Sequence, residues 1–218
     1  MTNRLTAWGF AAIAAGAAAM VTVHVASDVN PLYGMISEYA FHPYGVLLAV
    51  SLTSFAAGSA LFAMDLARRG APASVVGLVT VWSCCMMMIA AFPTDRPGVS
   101  LSMSGGIHRY AAFAAFVVMP VAGLLVAAHG GRHARLLRGL SVAAGVFLVA
   151  VLIPYGLRTF GVDTAAVPAG LTQRLVVVSE VAVLALIGTA MITGRLGATP
   201  ARTRVTGRLA TPAVHAAR

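Results

Sequence analysis

The chain has 218 residues, of which 59% are hydrophobic and only 10% charged, and its mean hydropathy is +0.88. A soluble domain carries about a quarter charged residues, so an ordinary soluble globule is excluded and lipid is left as the solvent for the apolar excess. The formal charge of +9 comes entirely from Arg, Lys being absent, and its confinement to particular loops fits the positive-inside rule better than a nucleic-acid surface.

The length suits one bundle. A first apolar run, Leu5–Ala26, follows Arg4. It is longer than the roughly 7–15 residues of a signal-peptide core, so it reads as a retained span and not a cleaved leader. Its Ala and Gly content suits close helix–helix approach. Asp28–Tyr44 forms a first outward loop, whose Tyr33, Tyr39, Phe41 and Tyr44 fit an interfacial aromatic belt and which has room for a short surface or re-entrant helix. The second span is Gly45–Leu66, followed by Arg68, Arg69 and the breakers Gly70 and Pro72. The third is Ser74–Phe92. Its adjacent Cys84 and Cys85 point about 100° apart on a helix, which suits packing and not a disulfide or zinc site. Met86–Met88 read as deformable packing.

Pro93 opens a polar stretch within Phe92–Tyr110 that holds Asp95, Arg96, His108 and Arg109. The fourth span runs from Ile107 to about Ala128, the fifth covers Leu140–Leu157 with a Pro154 kink, and the sixth covers Leu175–Ile192. Thr159–Thr172 is the third outward loop, and Gly194–Arg218 reads as a disordered basic tail beside anionic headgroups. The expected fold is all-α: a polytopic membrane protein with six transmembrane helices in residues 1–193. Arg residues divide eleven against four between the two sides, which predicts both termini in the cytoplasm. Ala and Arg richness without Lys points to a GC-rich bacterial genome, hence a bacterial inner membrane.

Three outward loops then bring polar residues to one end of the bundle. Asp95 and Glu38 are candidate acids and His108 a candidate base, the usual equipment for proton transfer. His108 and Arg109 fall in the first turn of the fourth span, where a nearby Asp95 would offset the helix dipole. Ser37, Tyr39, Arg109, Arg158, Gln173 and Arg174 supply donors that suit an anionic headgroup. Glu180 lies on the Gln173 face, about 9 Å deeper than Arg174. A carboxylate at that depth needs a partner, with Arg158, Arg174, His108 and Arg109 as the candidates. No nucleophile elbow, phosphate loop or zinc-binding His-Glu-x-x-His motif occurs, so no metal or cofactor is expected.

Four short motifs sit at span ends: Ile36-Ser37-Glu38-Tyr39, Phe92-Pro93-Thr94-Asp95, Gly106-Ile107-His108 and Gly170-Leu171-Thr172-Gln173-Arg174. In their order and placement the chain resembles, over residues 5–193, a bacterial and archaeal membrane family called domain of unknown function 998. That resemblance implies a six-helix integral membrane fold with no settled activity. It is also distantly similar to the FRAG1/DRAM/SFK1 membrane proteins, some of which are linked to lipid organisation.

Three functions follow as expectations. The first is a non-enzymatic protein whose outward pocket binds a lipid headgroup or an amphipathic or isoprenoid ligand, with Arg109, Arg158 and Arg174 holding the anion. The second is an intramembrane acid/base enzyme, for example a terpenoid cyclase, with Asp95 or Glu38 as acid and His108 as base. The third is a proton-coupled transporter with Glu180 as carrier. The expected partners are membrane lipids or an amphipathic small molecule, with no nucleic acid. The oligomeric state stays open.

Overall fold

Six apolar runs become six helices in the computed structural model, which describes residues 2–164 and 166–193, without the side chains of residues 2, 3, 158 and 159. They are α1 (Thr2–Ala26), α2 (Val46–Arg68), α3 (Ala73–Ala91), α4 (Met103–Ala128), α5 (Ala134–Thr159) and α6 (Ala169–Ile192). The stretch read as a disordered tail, residues 194–218, lies outside the described residues. Each helix contains a segment long and apolar enough to cross a bilayer. The outer faces leave Val50, Val81, Val117, Val146 and Val149 exposed, the reverse of a soluble bundle. The chain is a multi-pass helical membrane protein.

Several helices start earlier than their apolar runs. Ser102 caps α4: its Oγ accepts from the Gly105 amide at 3.0 Å, which pulls Met103–Gly106 into the helix. His108 and Arg109 therefore stand in the second turn, not the first. α6 begins just after Pro168, whose restricted φ suits a helix start. Gln173 and Arg174 are thus helical, where a position ahead of the span was expected. α5 likewise starts at Ala134, so Arg135 and Arg138 ride on it.

The helices pack as a ring in chain order, closed by α1 on α6, and α6 also touches α2 and α4. Lipid supplies no hydrophobic drive between helices, so small residues and hydroxyls carry the packing. A Cβ on Gly16 would lie 2.9 Å from the Ser51 carbonyl oxygen, and one on Gly188 would lie 2.5 Å from the Phe62 ring. Ser51 donates to the Gly16 carbonyl at 2.8 Å and Ser83 to the Ala56 carbonyl at 2.7 Å. Val183, Leu184 and Ile187 of α6 are wholly buried, making α6 the inner post.

An even number of crossings returns the start of α1 and the end of α6 to the same end. There Thr6 donates to the fully buried Asp65, Arg69 pairs with Asp65 at 2.9 Å, and Arg69 Nη1 donates to the Met191 carbonyl at 2.7 Å. Three helices are tied by one ion pair. Arg69, read from the sequence only as a charge following the second span, is thus an internal tie.

Candidate functional site

The opposite end, here called the mouth, is built by the first loop folding over α6. Within that loop Ile36–Phe41 form a short 3-10 helix whose Ile36 and Tyr39 are buried. Its attachment is almost all main-chain. Ile36 N donates to Gln173 Oε1 at 2.7 Å and Leu171 N to the Leu32 carbonyl at 3.0 Å. Arg174 Nη1 reaches three carbonyls, those of Gly34 (2.7 Å), Gly170 (2.9 Å) and Pro31 (3.0 Å), and Nη2 donates to Tyr39 Oη at 2.6 Å. Only glycine permits this approach at position 170, because a Cβ there would lie 2.3 Å from the Gly34 oxygen. The Tyr39 hydroxyl, which accepts from Arg174, also shares a hydrogen bond with His24 Nδ1, 2.6 Å away on α1.

Two expectations change here. Tyr39 is 1% exposed and belongs to the core, not to an interfacial belt. Arg174 is engaged by four internal acceptors, so it fastens the loop and is not free to hold a ligand anion. Glu38 also turns inward: its Oε1 accepts from Met35 N at 2.9 Å, closing the start of the 3-10 turn.

The central loop ends on α4. Asp95 Oδ2 accepts from Ser102 N at 3.1 Å, and the carboxylate lies against Gly105, where a Cβ would stand 1.8 Å away. The Ser102 hydroxyl and then the Ser102 amide hold the Asp95 carboxyl below its usual range. An acid so stabilised as an anion is a poor proton donor near neutrality, which weighs against Asp95 as the acid. A group with a lowered folded-state pKa adds stability above its unfolded pKa, and that stability is lost as pH falls through the lowered value. Acidifying through that value should lower the amide protection of residues 93–102, measured relative to the intrinsic exchange rate at each pH. Asp95→Ala should show the lower protection already at neutral pH, and identical protection in both proteins would refute the tie.

His108 is buried and is aimed by its Nδ1, which lies 2.9 Å from the Phe92 carbonyl oxygen. A carbonyl only accepts, so Nδ1 carries the proton, and the Ile89 carbonyl also lies against this imidazole. Asp95 and His108 border the same cavity, yet each bonds to main chain and neither bonds to the other.

That cavity holds about 690 Å³. Its rim carries Glu38, Asp95, Arg96 and Arg109, its floor Ser37, His108 and Gln173, and its side wall the apolar Phe113, Phe116, Leu148, Val151 and Leu152. Phe113, Leu152 and Tyr155 are also exposed, so the cavity meets the outer surface between α4 and α5. A narrower chamber of about 60 Å³ lies against Glu180 and shares Ser37, His108, Ala112, Phe116 and Gln173 with the larger cavity. Glu180 is 1% exposed, and its Oε2 accepts from Trp82 Nε1 at 3.1 Å. Among the described residues its partner is this indole, and not the Arg174, His108 or Arg109 expected for it. The Arg158 side chain lies outside the described residues.

The structure brings Ser37, Glu38, Asp95, His108, Arg109 and Gln173 to one cavity and sets Tyr39, Arg174 and Glu180 behind it. Sequence reasoning missed Trp82, the Thr6–Asp65–Arg69 cluster and the cavity-lining role of Arg96. An acid inside an apolar run with Arg four residues on, as at Asp65 and Arg69, was the readable signal for the second.

A six-span helical bundle with a polar cavity at one end defines the class. The chain belongs to the family described as Protein of unknown function (DUF998), which matches residues 10–190. No curated protein and no solved structure matches it.

Proposed function

We propose that the mouth cavity binds an amphipathic anion, with a lipid or isoprenoid tail and a phosphate or similar headgroup. The observation that carries this reading is the division of one 690 Å³ cavity into a charged rim and an apolar side wall that reaches the lipid-facing surface between α4 and α5. Glu38 and Asp95 are already matched with backbone amides. Arg96 stacks over Phe41 at 5.0 Å, and among the described residues neither Arg96 nor Arg109 has a hydrogen-bond acceptor. Guanidinium donors without acceptors fit an oxyanion, and the apolar wall fits a chain. On the Arg distribution the mouth faces away from the cytoplasm.

A charge-assisted hydrogen bond contributes about 1.5–3 kcal/mol, so Arg109→Ala should weaken binding by about tenfold or more. The check is titration of the purified protein with a short-chain phosphatidic acid and, as the neutral control, the matching diacylglycerol. Equal affinity for both, or unchanged affinity in the Arg96→Ala, Arg109→Ala double variant, overturns the reading.

A further inference from the structure

Glu180 sits two helical turns below the cavity floor, about 10 Å along α6 from Gln173. One carboxylate oxygen has the Trp82 indole, and the other, Oε1, is buried with no partner. A buried carboxylate without a counter-charge or hydrogen bond is costly, so something must answer Oε1. The chamber beside it holds about 60 Å³. A water needs roughly 10–15 Å³ by the same kind of measure, so there is space for a few. We propose that this chamber is a water-filled proton-binding site, and that it exchanges protons with the mouth alone.

The route is polar at the wall between the two spaces, where Ser37, His108 and Gln173 border both. His108, with Nδ1–H given to Phe92, is held with its ring bordering both spaces. The titratable groups around Glu180 are His108 on α4 and Cys85 on α3. The linings from α1 and α2 carry no charge, the 36–41 turn brings Ser37, and Arg174 of α6 is turned to Tyr39. No fixed cation therefore neutralises Glu180 among the described residues, and a proton carried by water is the smallest ligand that does. Beyond Glu180, toward the other end, Val183, Leu184, Ile187 and Met191 are wholly buried and leave no polar path on α6.

The chain has only two glutamates, Glu38 and Glu180, so glutamate labelled with carbon-13 at the side-chain carboxyl reports on both without any substitution. Infrared spectra of the full chain in nanodiscs should show a labelled carboxylic-acid band that titrates with pH and shifts in deuterium oxide. It should persist in Glu38→Gln and vanish in Glu180→Gln, which keeps an oxygen for Trp82. Ala112→Phe, which fills the shared wall, should slow the deuterium shift by about tenfold, a barrier rise of about 1.4 kcal/mol. The proposal is overturned if no labelled band titrates, if the titrating band belongs to Glu38, or if Ala112→Phe leaves the exchange rate unchanged. None of these outcomes depends on lipid binding at the rim.

Discussion

Arg174→Ala is expected to lower stability by about 3 kcal/mol or more and to free the first loop from α6. The guanidinium serves three carbonyls and the Tyr39 hydroxyl at 2.6–3.0 Å. Alanine leaves the Pro31 and Gly34 carbonyls without this donor, and it removes the cation that lies 5.5 Å from the Tyr39 ring centre. Lysine should not rescue, because one ammonium cannot reproduce a planar fork. Tyr39→Phe should cost less, about 1–2 kcal/mol, since it removes one hydroxyl and two bonds. Thermal unfolding in detergent, run as a double-mutant cycle over Arg174 and Tyr39, checks this. A coupling near zero would show that the two do not act as one unit.

Arg69→Ala is expected to be of similar or larger size, about 3–5 kcal/mol, because it leaves the carboxylate of Asp65 buried without its cation. Thr6 would remain as a hydroxyl donor. The double change Arg69→Leu with Asp65→Leu should recover much of that loss, since an apolar pair avoids the stranded charge. If the single change proves as mild as a surface substitution, within about 0.5 kcal/mol, the pair is not the tie drawn here. The same thermal assay decides it.

Much of the architecture was legible because six apolar runs long enough to span lipid leave few other folds. The boundaries were less legible. Met103–Gly106 and Ala169–Arg174 are polar or glycine-rich, and only a serine cap and a proline start make them helical. The gathering of Glu38, Asp95 and Gln173 at one end followed from topology. Which side chain meets which did not follow, because it depends on how each helix is rotated about its axis. Spans apolar all round record that rotation weakly. Hence Arg174 could be counted as a ligand anchor when its rotation aims it at Tyr39, and Glu180 could be assigned a cation when it faces Trp82. The Asp65–Arg69 pair was hidden because Asp65 sits inside an apolar run and Arg69 looks like an ordinary topogenic charge.

The tie among α1, α2 and α6 also closes the end of the bundle opposite the mouth. In this conformation a solute admitted at the mouth leaves by the mouth or sideways between α4 and α5, and not through the far end. Occupancy should therefore saturate, and a sealed vesicle bearing the protein should hold an ionic gradient as long as an empty one does.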